Sequence, residues 1–122
     1  MAESKIVKPK NNWVEIWTNP NPSSTFANNQ VVNVDLTNCT ELCFELRVVT
    51  GSTTKYYSSL PVTSGEVNTI VSVFGLTAFQ RVGVIINTDT NTIDLGVGAL
   101  IQPYGTRVES TEYAVPLRIL AR

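Results

Sequence analysis

Residues 41 to 49 read Glu-Leu-Cys-Phe-Glu-Leu-Arg-Val-Val, and this alternation limits the fold more than any other feature of the chain. Leu42, Phe44, Leu46 and Val48 fall on one parity, and Glu41, Cys43, Glu45 and Arg47 on the other. Successive side chains of an extended backbone point to opposite faces, so the segment is a strand with one apolar and one polar face. A slip of one residue would bury three charges, which fixes its register strongly.

The same period of two runs along most of the chain. In residues 13–18, Val14 and Ile16 share one face, and Trp13, Glu15 and Trp17 the other. In 30–36, Val32, Val34 and Leu36 oppose Asn33 and Asp35. Residues 54–60 follow a Gly51-Ser52 turn and pair back as a hairpin. Segments 67–76 and 79–87 are rich in β-branched residues, and 88–91 is a turn. Gly96 and Gly98 inside the strand pattern of 92–105 predict a bulge or a close backbone approach. Val115, Leu117 and Ile119 alternate in the last run, where Pro116 has no N–H to donate and predicts an edge position or a bend. The best helical candidate is a short turn at 75–80. About eight strands with turn signals between them predict an all-β fold, an antiparallel β-sandwich or a barrel, with jelly-roll connectivity as one form. Residues 1–11 read as a flexible N-terminal tail, or as a tether onto a larger assembly, and 12–122 as a single β-sandwich domain.

Composition narrows the function. The chain of 122 residues contains no histidine, which removes Ser-His-Asp and Cys-His nucleophilic machinery. Two cysteines alone are too few for an ordinary zinc site. Cys39 and Cys43 would stand roughly 13 Å apart in an extended segment, beyond the ~7 Å that a disulfide spans; they read as two thiols of a protein made in a reducing compartment. The spacing of the acidic residues suggests no catalytic carboxylate pair. A net charge of −1 gives no field to draw in nucleic acid, and the Lys5, Lys8, Lys10 cluster fits a solvated tail. No apolar run approaches the roughly 20 residues that span a bilayer, and the first ten residues lack the apolar core of a secretory leader. No cofactor-binding motif is present: the Gly-Val-Gly at 96–98 lacks the lysine and helix of a phosphate loop. Charged residues make up only 16% of the chain, below the usual ~25%, which suits a surface engaged in neutral contacts.

One stretch stands apart: Trp-Thr-Asn-Pro-Asn-Pro-Ser-Ser-Thr-Phe at 17–26. Each proline holds the asparagine before it in extended geometry and cannot donate to a ladder, so the first strand ends near Thr18. Asn19 and Asn21 can bond to nearby backbone. The stretch is then a stiff polar crossing, with Trp17 and Phe26 as its hydrophobic anchors.

The run from Ile16 to Asn38, IWTNPNPSSTFANNQVVNVDLTN, resembles an opening found in structural proteins of bacteriophages. YYSSLPV at 56–62, the Arg-bearing FQRVGVIINTDTNTIDLGVG at 79–98 and YAVPLRIL at 113–120 look similar to that family's later elements. Ala121-Arg122 stands where a glycine often follows in the family. The resemblance spans residues 13 to 120 and implies a virion component made in the host bacterial cytoplasm: a tail fibre, baseplate or head-decoration domain. It implies no enzymatic activity and no catalytic residues. It implies self-association, as a homotrimer where the domain is a fibre head, contacts with other virion proteins, and host adhesion through a surface glycan. The alternative is a carbohydrate-binding β-sandwich module. For either sugar role the candidate contacts are Trp13, Trp17, Tyr56, Tyr57 and Tyr104, since sugars dock on exposed aromatic faces; the competing role for each ring is packing in the core or across strands.

Overall fold

The computed structural model describes residues 12–74 and 77–122. The expected tail at 1–11 lies outside the described residues. Two antiparallel sheets pack face to face as a β-sandwich, with no helix among the described residues. The strands are β1 (Val14–Thr18), β2 (Val31–Asn33), β3 (Glu41–Val49), β4 (Lys55–Pro61), β5 (Gly65–Phe74), β6 (Thr77–Asn87), β7 (Thr92–Asp94), β8 (Val97–Ile101), β9 (Arg107–Glu109) and β10 (Tyr113–Ala121). One sheet has the order β1-β10-β3-β4; the other runs β2-β7-β6-β8-β9, with β5 on the remaining edge of β6. The chain crosses between sheets after β1, β2, β4 and β9.

The alternation in 41–49 does what it predicts. Leu42, Phe44 and Leu46 are fully buried at the centre of the core, against Val84, Ile86 and Ile93 of the facing sheet. Val34 and Leu36 join them, although the regular ladder of β2 ends at Asn33. The hairpin from β3 to β4 forms as expected, with Leu46 opposite Tyr56 and Arg47 opposite Lys55.

Four local expectations change. The register of β1 shifts between Glu15 and Trp17. Trp17 consequently pairs with core-facing Ile119 and packs on the core, while Glu15 remains outside with Arg118. Simple alternation had put both on one face. Second, the turn expected at 75–80 is strand from Thr77 onward, and Gly75 and Leu76 lie outside the described residues. Third, the segment 92–105 divides into β7 and β8, which share one edge of β6, and a further short strand, β9, pairs with β8. Gly96 sits at the division with φ of 63°, and a Cβ there would overlap the carbonyl oxygen of Val82. Fourth, of the two outcomes expected at Pro116 the edge position is not found, since β10 lies between β1 and β3, and the irregularity is. Pro116 is tolerated because the ladder to β3 shifts register between Pro116 and Arg118.

The stretch 17–26 explains how that irregularity is satisfied. Asn19 is buried; its amide nitrogen donates to Pro116 O at 2.8 Å and its backbone N–H to Leu117 O at 2.8 Å. Its Oδ1 accepts the Asn21 N–H at 2.7 Å, closing the local turn. The anchors meet edge to face, with Trp17 and Phe26 ring centroids 6.0 Å apart. The polar crossing thus fastens β1 to the bulge of β10.

Arg81 on β6 locks the two sheets together. It is fully buried, yet each of its three nitrogens has an acceptor: Nε donates to Leu95 O at 2.8 Å, Nη2 to Gly96 O at 2.8 Å, and Nη1 to Ala114 O at 3.2 Å and Tyr113 O at 3.4 Å. Phe26 lies 5.5 Å from the guanidinium carbon. Burial pulls its pKa down to about 10, opposed by Tyr56 and Asp94. Arg81 reaches the interior although Val84 and Ile86, of opposite parity, are also inside. The parity changes near Gly83, whose φ of 74° suits glycine.

Candidate functional site

The five aromatic candidates do not form one platform. Trp17 packs on the core and against Phe26. Tyr56 also faces inward and donates its hydroxyl to Phe79 O at 3.1 Å; burial pushes its phenol pKa well up. Trp13 lies under the Arg122 guanidinium, 4.2 Å from ring centroid to the guanidinium carbon. Tyr57, on the outer face of the β1-β10-β3-β4 sheet, donates to Glu45 Oε2 at 2.6 Å, and that bond to a carboxylate raises its pKa. Tyr104 is 98% exposed, at the turn between β8 and β9. Two of the rings are therefore structural, and the other three occupy separate places.

A different constellation gathers on the outer face of that same sheet. The crossing at 19–23 overhangs it and, with the β3–β4 turn, walls a groove of about 530 Å³. Its floor carries Glu45 and Arg47 from β3, Lys55 from β4, and Leu117 and Arg118 from the bulged part of β10. Ser23 stands on one wall, and Ser52 and Thr53 on the other.

Most polar groups of the floor are engaged. Glu45 is nearly buried and takes Arg118 Nε at 3.0 Å as well as the Tyr57 hydroxyl. Arg118 also reaches Glu15 at 3.4 Å, and the Thr18 hydroxyl donates to Glu15 as well. That hydroxyl is the main reason the Glu15 carboxyl titrates below its ordinary range. Asn19 is taken up by the backbone of β10. Arg47 differs: its Nε and Nη2 are closed off from solvent and meet no acceptor among the described residues. Its cross-strand neighbour is Lys55, another cation, which has no ion pair among the described residues.

Sequence reasoning named neither Arg47 nor Lys55 as a ligand contact. Their opposition does not follow from counting: a two-residue Gly51-Ser52 turn would set Arg47 opposite Tyr56, and the longer connection seen here shifts the ladder by one, to Lys55. Nor does the place of Ser23, since only the tertiary path of the crossing brings it over β3.

The remaining surface offers little chemistry. Among the described residues, no three His, Cys, Asp or Glu side chains gather as a metal site would need. Cys39 and Cys43 are both free thiols. Among the described residues no helix is long and apolar enough to cross a membrane. Comparison of the chain with protein-family models, with curated proteins and with solved structures gave no match.

Proposed function

We propose that this chain is a non-catalytic structural protein of a bacteriophage virion, a fibre, baseplate or head-decoration domain, that works by packing against copies of itself and against neighbouring virion proteins. The observation that carries the reading is one open side of the sandwich. Among the described residues, β1 pairs only with β10 and β2 only with β7, so each presents a free edge. The two edges are neighbours, since Trp17 and Val32 line one cleft of about 270 Å³. Each bears a valine turned to solvent, Val14 at 62% and Val31 at 60% exposure. Neither strand carries the lysine or proline that commonly guards an edge against pairing. The far edge of the same sheet, β4, carries both, Lys55 and Pro61. The contrast suits a molecule that joins its neighbours along one side and keeps the other free.

The scatter of the five aromatics weighs against the alternative, a carbohydrate-binding module built on stacked rings. Host attachment through a glycan then belongs to the assembled particle, with Tyr57 and Tyr104 as its exposed rings.

Light scattering of the purified chain tests the reading. A fibre head gives three times the single-chain mass, and the paired change Val14→Lys with Val31→Lys returns it to one while the β-sheet circular dichroism stays intact. A wild-type chain that remains single at high concentration and does not co-sediment with phage particles would defeat the proposal.

A further inference from the structure

The groove beside residues 19–23 holds two positive charges that no described residue answers. Arg47 and Lys55 are directly opposed across the β3–β4 ladder, where like charges repel. The carboxylate that lines the groove, Glu45, is already engaged by Arg118 and Tyr57. The unpaired nitrogens of Arg47, Nε and Nη2, form one edge of the guanidinium. Two parallel N–H groups on one edge are what a carboxylate or phosphate bridges with two bonds.

Arg81 supplies the internal standard. There the same fold gives every guanidinium nitrogen an acceptor. A buried polar group without a partner calls for an explanation, and an absent anion is one.

We propose that this groove binds the oxyanion group, carboxylate or phosphate, of a small polar molecule, held between Arg47 and Lys55. The walls offer the Ser23, Ser52 and Thr53 hydroxyls, which have no acceptor of their own among the described residues and can contact the remainder of the ligand. A volume of about 530 Å³ exceeds what a bare ion needs and falls in the ~300–1,000 Å³ range of small-molecule sites. Arg47 is half-buried and lines the groove, so binding asks for side-chain rotation and not for movement of strands. Closure from water strengthens the pair once made. The site stands whether or not the chain assembles into a virion.

The test compares the full chain with Arg47→Met and Lys55→Gln. Each is titrated calorimetrically with inorganic phosphate, with glucuronate and with neutral glucose, against chloride of matched ionic strength, and its thermal midpoint is recorded. The wild type takes up phosphate, glucuronate or both saturably, with a rise in midpoint, and ignores glucose. Uptake of phosphate alone assigns a phosphoryl ligand, and uptake of glucuronate alone a sugar carboxylate. Arg47→Met abolishes binding, and Lys55→Gln weakens it about tenfold, the worth of one charge-assisted contact. Without added anion Arg47→Met melts no lower than the wild type, because it removes an unpaired guanidinium and its repulsion from Lys55. The proposal is overturned if neither anion acts beyond chloride, if Arg47→Met binds as well as the wild type, or if Arg47→Met is markedly less stable in the absence of any oxyanion.

Discussion

Replacing Arg81 by alanine should remove the main polar tie between the two sheets. Four carbonyls receive its donors, and of these Gly96 O keeps a bond from the Asn29 N–H at 2.8 Å. The carbonyls of Leu95, Tyr113 and Ala114 lose an acceptor's partner in the interior. At about 2 kcal/mol each the loss is about 6 kcal/mol. The vacated volume adds about 2 kcal/mol, by analogy with large-to-small core changes. Against this stands relief from burying a charge. The fall of the Arg81 pKa to about 10 marks a penalty on the charged form, about 3 kcal/mol at 1.36 kcal/mol per pH unit. The net cost is therefore about 5 kcal/mol, a third or more of the 5–15 kcal/mol that holds a domain of ordinary size. For a chain of this length the thermal midpoint should fall by roughly 20 °C. Urea unfolding followed by far-ultraviolet circular dichroism measures it, with Arg81→Lys as an intermediate case that keeps the charge but not the planar fork. A loss below about 1 kcal/mol for Arg81→Ala would refute the reasoning, since the carbonyls would then have to find partners without the guanidinium.

Three further outcomes follow from the same geometry. Asn19→Ala removes the side-chain bond that fastens the crossing to the bulge of β10 and the one that closes its local turn, and should cost about 2 kcal/mol in a chemical melt; an unchanged midpoint would mean that the backbone bond to Leu117 suffices. Gly98→Ala sets a Cβ against the Tyr113 carbonyl oxygen, and should cost about 2 kcal/mol or more through forced backbone separation of β8 and β10; a variant as stable as the wild type would show that these strands can part freely. Tyr56 holds its proton more tightly when folded than when unfolded, because it is buried. Its contribution is complete below the unfolded pKa of about 10 and declines above it, by up to about 1.4 kcal/mol per pH unit. Tyr56→Phe should therefore show a shallower alkaline loss of stability above about pH 10, and parallel curves for the two proteins would contradict the assignment.

Much of this architecture is local and can be read from the residues in order. Alternation at 41–49 specifies which side of β3 enters the core, because the pleat has a period of two whatever the strand pairs with. The two Asn-Pro steps end β1, and Gly51-Ser52 turns the β3–β4 hairpin, because both act through the φ and ψ of a few neighbouring residues. Pairing between distant segments is another matter. That β10 enters the middle of a sheet despite Pro116 depends on Asn19, 97 residues earlier, taking the freed carbonyls. The bulge in β1 turns Trp17 inward against its sequence parity, because a fit to Ile119 decides it. Arg81 looks in sequence like one more polar position of a half-exposed strand; only the carbonyls that β10 and the Leu95-Gly96 link present to it make its burial tolerable. The groove shows the division most plainly. The sequence shows that residues 47 and 55 lie on strands of one hairpin, but the register that opposes them, the loop beside them and the carboxylate already taken by Arg118 exist only in the folded chain.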